Sequence, residues 1–298
     1  MKIQKLSERG IAFTFDDLSS PEYYCPTNIY AINGDKHIFL CDTYLGPEIM
    51  EKVVEHLEKE FGKKPFVIFN SHSHWDHHWG NCYFDKAVIF SQKLTVGLIE
   101  KNGEDELKRN EKYLRGKVVL KLPEKTFDKE NKEYENENVE FFHSPGHTED
   151  SSSCYDSISK TLFVADNVEV PIPYITSSDL SVYIATMKNY LNYPAEIIIP
   201  GHGDVSDKKL IEANLRYLES FPEVDDDMFV EENKKSFFMV HVSNLSTVAK
   251  EYYDKENYTN ARKFYKIILS LNKEMTLLRE ESQKILDARL KELDERLN

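Results

Sequence analysis

Residues 66–81 read FVIFNSHSHWDHHWGN. The apolar residues 66–69 predict a buried strand, and the loop after them holds five histidines and aspartates within seven positions: His72, His74, Asp76, His77 and His78. Loops at strand ends carry chemistry more often than packing. Imidazole and carboxylate groups are the ligands that borderline divalent metals prefer. A solvated polar loop is the alternative interpretation, but the pattern favours a metal site.

Three further strand-like segments end in the same residue types. They are FFHSPGHT (141–148), TLFVAD (161–166) and IIIPGHG (197–203). Proline fixes φ and glycine tolerates positive φ, so the Pro-Gly pairs predict bends that present a histidine just past the strand. The four strand ends offer enough ligands for two metal ions with open positions for water and substrate. These candidate ligands are His72, His74, Asp76, His77, His147, Asp166 and His202.

Taken in order, these motifs resemble those of the metallo-β-lactamase-fold hydrolases, over residues from about 20 to 220. Asp42 follows the strand HIFLC, and the other motifs are HSHWDH, SPGHT, FVAD and PGHG. The resemblance implies that His72, His74 and His147 hold one metal, that Asp76, His77 and His202 hold a second, and that Asp166 bridges them. It also implies that Asp42 orients ligands without binding metal. His78, His143 and Cys82 fall outside the motif, and we expect no ligand role for them.

Departures from the pattern narrow the branch. The best-known zinc β-lactamases of this fold carry Cys where Asp166 stands and lack the last His of the HxHxDH motif, here His77, so antibiotic hydrolysis is not expected. The diiron oxygen reductases place Glu where His74 stands. The ligand set resembles the glyoxalase II, lactonase and ribonuclease Z branch. Tyr44 replaces a glycine that often follows the first motif, and we expect its ring near the mouth of the site.

Composition and charge limit the partners. The chain has 298 residues, 40% hydrophobic residues and a formal net charge of −14, and an acidic surface disfavours nucleic acid. The amino-terminal residues MKIQKLSERGIAF lack an apolar core, so we expect no signal peptide, and no apolar stretch is long enough to span a membrane. The four cysteines are dispersed, which is typical of a reducing compartment. We expect a cytoplasmic protein.

Hydrophobic periodicity predicts an α/β fold. Short strands come first, followed by a helix at Pro47–Phe61 with proline in its first turn. Strands and helices then alternate up to a helix near residues 207–220. We expect a catalytic domain at residues 1–222, built as an αββα four-layer sandwich of the metallo-β-lactamase type, with a small C-terminal helical appendage.

Residues 236–298 are predicted to be helical. Ala249, Tyr252, Tyr258, Ala261 and Tyr265 follow the small–large spacing of a tetratricopeptide repeat, which this segment resembles over one repeat only. A later stripe runs through Leu278, Ile285, Leu286, Leu290, Leu293 and Leu297. We expect these helices to pack on the catalytic domain or on a second copy of the chain, so a homodimer is plausible. A site for a protein partner is the alternative.

These observations predict a binuclear zinc-dependent hydrolase, with iron or manganese as other metals that the ligands suit. A metal-bridged hydroxide would attack an ester, thioester or lactone, and Asp76 and Asp166 would hold the geometry and accept a proton. The expected substrate is a small molecule. The alternatives are a mononuclear iron enzyme of the persulfide-dioxygenase type, and a scaffold protein that acts through its C-terminal helices.

Overall fold

A computed structural model describes residues 1–20 and 23–297 of the chain. Its described residues form twelve strands and eight α-helices. The strands are β1 (Lys2–Lys5), β2 (Gly10–Phe15), β3 (Thr27–Asn33), β4 (Ile38–Cys41), β5 (Phe66–Asn70), β6 (Val88–Gln92), β7 (Lys125–Phe127), β8 (Glu130–Asn131), β9 (Val139–His143), β10 (Ser152–Asp156), β11 (Thr161–Glu169) and β12 (Ile197–His202). The helices are α1 (Pro47–Phe61), α2 (Trp75–His78), α3 (Lys93–Arg109), α4 (Ser181–Asn192), α5 (Lys208–Ser220), α6 (Lys234–Asp254), α7 (Tyr258–Met275) and α8 (Glu280–Leu297).

The strands form two half-sheets that meet at one point. The first half runs β1-β2-β3-β4-β5-β6-β7, with β4 to β7 parallel, and the second runs β12-β11-β10-β9-β8, with β11 and β12 parallel. The halves are joined where His202 of β12 pairs with Thr27 of β3. Helices connect the parallel strands, as parallel pairing requires a crossover.

Three apolar clusters fill the spaces between the layers. The central cluster contains residues from both half-sheets, such as Phe39, Phe69 and Phe163, and it packs the two sheets face to face. A second cluster packs α1 on the outside of the first half-sheet, and a third packs α4 and α5 on the outside of the second. The predicted αββα sandwich is therefore confirmed.

Helix α1 shows how the sequence determines local structure. It begins at Pro47, whose fixed φ suits the first helical position, and it ends at Phe61, before Gly62 with a φ of +77°. Met50, Val53 and Leu57 lie on one face and are buried against the first half-sheet. The predicted bounds are the observed ones.

The C-terminal helices share a core with the second half-sheet. Phe237 and Leu245 of α6 lie in the same apolar cluster as Leu162 of β11 and Tyr217 of α5. Leu286, Leu290 and Leu293 of α8 are buried as expected, whereas Ile285 and Leu297 are 68% and 43% exposed and do not belong to the buried stripe. Helices thus follow the catalytic sandwich, while the boundary between residues 222 and 236 and the tetratricopeptide resemblance stay predictions. In the described part of the chain, no helix is long and apolar enough to cross a membrane.

Candidate metal centre

The histidine-rich loop is fixed at its two ends by a pair of asparagines. Asn70 and Asn81 exchange amide hydrogen bonds of 3.1 and 2.7 Å, and Thr43 Oγ1 donates to Asn81 Oδ1 at 2.9 Å. The backbone N–H of Thr43 also donates to the carbonyl of His77 at 2.8 Å. All of these groups are buried. The loop therefore has little freedom, although it lies outside the strands.

The structure brings the seven predicted residues together in two adjoining groups. One group contains His72, His74, His147 and Asp166, and the other contains Asp76, His77 and His202. Within each group the nearest possible ligand atoms all lie within 4.8 Å of one another. Six of the seven residues are buried, and His74 is half-buried. The four strand ends thus converge on one place.

Asp166 contacts members of both groups. Its Oδ2 lies 3.5 Å from His72 Nε2 and 3.4 Å from His202 Nε2, and its Oδ1 lies 3.2 Å from His77 Nε2. Asp76 Oδ2 lies 3.4 Å from the same His202 nitrogen. His74 Nδ1 and His147 Nε2 are 3.1 Å apart. Asp166 therefore lies between the two groups.

Asp42 holds two of the histidines without belonging to either group. Its carboxylate accepts hydrogen bonds from the backbone N–H and hydroxyl of Ser71, both at 2.7 Å, and lies 2.8 Å from His77 Nδ1. Ser71 Oγ lies 3.0 Å from His72 Nδ1. Such contacts fix the ring orientation and leave Nε2 free to bind a metal. The backbone of Asp42 has a φ of +66°, in the left-handed region of backbone conformation.

Asn167 and Gly201 shape the other side of the centre, and sequence patterns did not reveal either role. Asn167 Oδ1 accepts from the N–H of His147 at 2.8 Å, while its amide donates to the carbonyl of Ser144 at 2.6 Å and to Tyr190 Oη at 2.7 Å. A Cβ at Gly201 would lie 1.8 Å from Asp166 Oδ1. Only glycine permits this approach of the carboxylate.

Three other residues that touch the histidines were not predicted from the sequence. Cys25 Sγ and Thr27 Oγ1 lie 3.3 and 3.2 Å from Nδ1 of His202. Glu169 Oε1 lies 3.8 Å from His147 Nδ1 and accepts from the N–H of Tyr174 at 3.2 Å. Burial, together with the nearby Asp166, raises the pKa of Glu169 to about 8. No sequence pattern marks these residues, because Cys25 and Thr27 lie far along the chain from the histidines that they and Glu169 contact.

The pKa values of ionisable side chains in both groups are shifted from their usual values. Burial and the neighbouring His74 lower the pKa of His147 to about 4, and burial also lowers the pKa of His72, so both rings are neutral, as metal binding requires. Burial opposes ionisation of Asp76, but the adjacent His77 and His202 outweigh it and lower its pKa to about 2. The carboxylate is therefore ionised and able to bind a cation.

The converging atoms fit a divalent metal. Among the described residues, His72 Nε2, His77 Nε2 and Asp166 Oδ1 are buried and form no hydrogen bond of acceptable geometry, although the last two lie 3.2 Å apart. Buried polar atoms are nearly always satisfied, so unpaired atoms that face one another call for an explanation. A bound cation would supply a partner for all three atoms, and imidazole with carboxylate is a donor set that zinc, manganese and iron accept.

The residues placed outside the motif do not join the groups. His143 Nε2 lies 2.8 Å from the carbonyl of Glu149, and Cys82 donates to the carbonyl of Trp79. His78 is buried, and burial lowers its pKa to about 4. The expectation for Tyr44 was wrong: its ring is fully buried and stacks on Phe15, with centroids 4.5 Å apart, instead of lining the mouth. A φ of +53° at Tyr44 places the side chain in the core.

A cavity of about 460 Å³ opens beside the candidate centre. His74, Asp76, His147, Asp166 and His202 are exposed to it from one side. Its remaining walls come from the amino-terminal segment, from residues near 113, from the loop 174–176 and from Thr247 of α6. A substrate can therefore reach the donor cluster, and a C-terminal helix contributes to the cavity.

The fold and the donor cluster together define an αββα protein with a candidate metal centre at its strand ends. The family model for the metallo-beta-lactamase superfamily matches residues 23–202, and the chain belongs to this superfamily. Membership indicates a metal-dependent hydrolase.

Individual relatives are distant. The chain is 25% identical over 195 residues to the metallo-beta-lactamase type 2 of Bacillus cereus, which covers 62% of this chain and 70% of the relative. A metallo-beta-lactamase structure from Hirschia baltica gives a TM-score of 0.58 at 18% identity, covering 73% of this chain and 96% of that one. A second, from Pontibacter korlensis, gives 0.57 at 19% identity, covering 74% and 99%. The two structures support the fold alone.

Proposed function

We propose that the chain is a binuclear zinc hydrolase of the glyoxalase II and lactonase branch, acting on an ester, a thioester or a lactone. The observation that carries the proposal is the position of Asp166, which contacts histidines of both groups through different oxygens. His72, His74 and His147 would hold one ion, and Asp76, His77 and His202 the other. If only one ion were bound, the buried polar side chains of the second group would have no cation to bind.

The proposed chemistry follows from these residues. When bound, two zinc ions would supply an activated water with a pKa of about 7 and a Lewis acid for the carbonyl of the substrate. Asp166 holds the spacing between the two groups, since its oxygens face both. Asp76 is ionised and faces the cavity, so it can orient the attacking water and accept its proton. Asp42 keeps His77 in a fixed orientation by direct contact and His72 through Ser71.

We propose further that β-lactams are not the substrate. The second group consists of Asp76, His77 and His202, without a thiolate, whereas the best-known zinc β-lactamases have cysteine where Asp166 stands. The nearby thiol, Cys25, contacts the outer nitrogen of His202 and does not belong to the group. We expect no turnover of a chromogenic cephalosporin under conditions in which a simple ester is hydrolysed. Comparable rates on both would refute this part of the proposal.

Metal content and hydrolysis test the main proposal together. Protein purified from its own host should contain two equivalents of zinc per chain by elemental analysis, while a single equivalent of iron would favour the dioxygenase alternative. The same protein should hydrolyse at least one of 4-nitrophenyl acetate, a thioester and a lactone. Asp76→Ala and Asp166→Ala should lose this activity with little change in the circular dichroism spectrum, because neither residue is in an apolar cluster.

The matched control is Asp85→Ala, an exposed aspartate outside the centre, which should keep full activity. Full activity in Asp76→Ala or Asp166→Ala would remove the two-metal mechanism. If the wild-type protein hydrolyses none of the substrates, the scaffold and dioxygenase alternatives move ahead.

A further inference from the structure

Away from the candidate centre, most of the cavity lining is aromatic or aliphatic, and Cys25, Glu169, Thr176 and Thr247 supply the rest. The aromatic and aliphatic residues are Leu18, Tyr23, Trp75, Tyr113, Tyr174 and Ile175. Such side chains supply contact area to an apolar group and specify no charge. The composition of these walls therefore bears on the part of the substrate that does not react.

Trp75 and Tyr113 form one wall as a stacked pair. Their ring centroids are 5.4 Å apart with an interplanar angle of 23°. Trp75 also packs against the buried Trp79, with centroids 4.8 Å apart, so its ring is held from within the protein. We refer to Trp75 and Tyr113 as the aromatic platform. Because the two rings stack on each other and Lys112 lies over Tyr113, the platform offers ring edges to a flat or aliphatic group, without the entropic cost of ordering its own side chains.

Tyr23 and Tyr174 add polar but uncharged groups to the cavity lining. Tyr23 Oη and Tyr174 Oη lie 2.6 Å apart and form a hydrogen bond with each other. The pair therefore needs no ionic partner from the substrate.

Positive charge is missing from these walls. Among the described residues, no lysine or arginine lines the cavity, and the undescribed Pro21, Glu22 and Asn298 are not basic. Arg115 is near the platform but forms an ion pair with Asp17, with Nη2 and Oδ1 2.7 Å apart. Lys112 contacts the ring of Tyr113, 4.6 Å from the centroid, and does not line the cavity. An anionic group of the substrate would therefore find no partner beyond the metal centre, and the chain as a whole would repel it.

We propose that the substrate is uncharged beyond the bond that is cleaved, and that its apolar or aromatic group lies on the aromatic platform. This inference rests on the proposed hydrolase function and narrows it. It favours neutral esters and lactones over thioesters of carriers that have several carboxylates or phosphates. Trp75 and Tyr113 are then specificity-determining residues, while the chemistry remains with the His/Asp centre.

Two esters with the same leaving group test the inference. 4-Nitrophenyl hexanoate and mono(4-nitrophenyl) adipate have acyl chains of equal carbon number, but the adipate ends in a carboxylate. We expect kcat/KM for the hexanoate to exceed that for the adipate by at least about tenfold. Equal values, or a preference for the adipate, would overturn the proposal while leaving the hydrolase function intact.

Two variants locate the selectivity in the cavity walls. Tyr113→Lys and Thr247→Lys each introduce a cation that faces the cavity from a different side, and each should reduce the preference for the hexanoate by improving turnover of the adipate. Using two sites protects the test against misfolding of either variant. The control is Val119→Lys, at an exposed position outside the cavity, which should keep the wild-type ratio. Unchanged ratios in both folded cavity variants would contradict the assignment of these walls.

A binding measurement separates this inference from the proposed chemistry. Isothermal titration calorimetry with hexanoate and adipate, neither of which contains a cleavable ester, should give a Kd at least about tenfold lower for hexanoate, because each can place one carboxylate at the metal centre and only adipate has a second. Selective binding without hydrolysis of any ester would retain the inference and reject the hydrolase function. Equal or tighter binding of adipate would reject the inference, whatever the activity.

Discussion

Asn244 of α6 and Ile175 of the cavity wall are joined by a hydrogen bond of 2.9 Å, from the backbone N–H of Ile175 to Oδ1 of Asn244. The amide of Asn244 also donates to the carbonyl of Pro173 at 2.9 Å and to Tyr217 Oη at 3.0 Å. Between these anchors lies Tyr174, whose carbonyl is 3.4 Å from His147 Nδ1. A C-terminal helix thus positions the loop that touches both the substrate cavity and a candidate metal ligand.

Replacement of this side chain should affect stability and activity together. Asn244→Ala leaves the buried N–H of Ile175 without a partner, which we expect to lower the free energy of unfolding by about 1–3 kcal/mol. We also expect a lower kcat/KM, because the loop 173–176 loses its anchor. Urea unfolding and ester hydrolysis measure the two effects. The neighbouring Ser243→Ala is exposed and should match the wild type in both. If Asn244→Ala has the stability and activity of the wild type, other contacts fix the loop 173–176.

The contact between Asp42 and His77 predicts an effect on metal affinity. Asp42→Asn keeps the shape of the side chain but removes the charge that orients His77 and, through Ser71, His72. We expect metal affinity to fall by about 10- to 100-fold, as for other residues that position metal ligands. Competition with a chromophoric chelator measures it. Asp85→Asn, at an exposed site, provides the matched control, and an affinity equal to the wild type would contradict the positioning role.

Buried His241 predicts a pH dependence of stability. It belongs to α6 and faces α5, where its Nδ1 lies 2.9 Å from Tyr217 Oη. The rings of Phe221, Phe237 and Phe238 surround its imidazole. Burial lowers its pKa from 6.5 to about 4. The unfolded chain therefore takes up a proton below pH 6.5 that the folded protein does not accept until about pH 4. The contribution of neutral His241 to the free energy of unfolding is fully present above pH 6.5. It is lost as the pH falls towards 4, by on the order of 3 kcal/mol.

His241→Gln keeps a hydrogen-bonding side chain but cannot titrate. Its free energy of unfolding, measured in urea with chelator present, should change less between pH 7 and pH 5 than that of the wild type. Parallel pH profiles of the two proteins would assign the acid sensitivity to other groups.

Removal of the C-terminal helices should damage the sandwich. A chain ending at residue 235 loses Phe237, Leu245 and the other α6 residues that pack on the second half-sheet, and the exposed apolar surface should promote association. We expect lower solubility or a different subunit count by analytical ultracentrifugation, together with lower activity, since Thr247 and the Asn244 anchor are lost. If the shortened chain keeps its subunit count and activity, the helices serve a protein partner.

Much of the fold was predictable because it depends on local patterns. The spacing of Val53 and Leu57 and the position of Pro47 gave α1 its bounds, and each candidate ligand follows an apolar run that forms a strand. The convergence of these ligands was predictable only through resemblance, since the strand ends are far apart in the chain. The structure brings them together, and their role as metal ligands remains a proposal.

The remaining features have no local pattern. Tyr44 was misplaced because its positive φ is invisible in the sequence, where a bulky residue after Asp-Thr simply suggests crowding. Asn244 acts on Pro173 across 71 positions, and a single asparagine in a helix looks like a solvated side chain until its partners are known. Cys25 is similar, since its contact with His202 spans 177 positions. Long-range contacts of single polar residues require the tertiary structure.

The pairing of His202 with Thr27 has a consequence for the order in which the protein assembles. The two half-sheets meet at this pair, and one candidate ion would take Asp76 and His77 from the first half and His202 from the second. A metal held in this way would cross-link segments that are far apart in the chain, and bringing such segments together costs conformational entropy. Metal binding would then complete the folding of the protein. Without metal, the sandwich would open first where the two half-sheets meet.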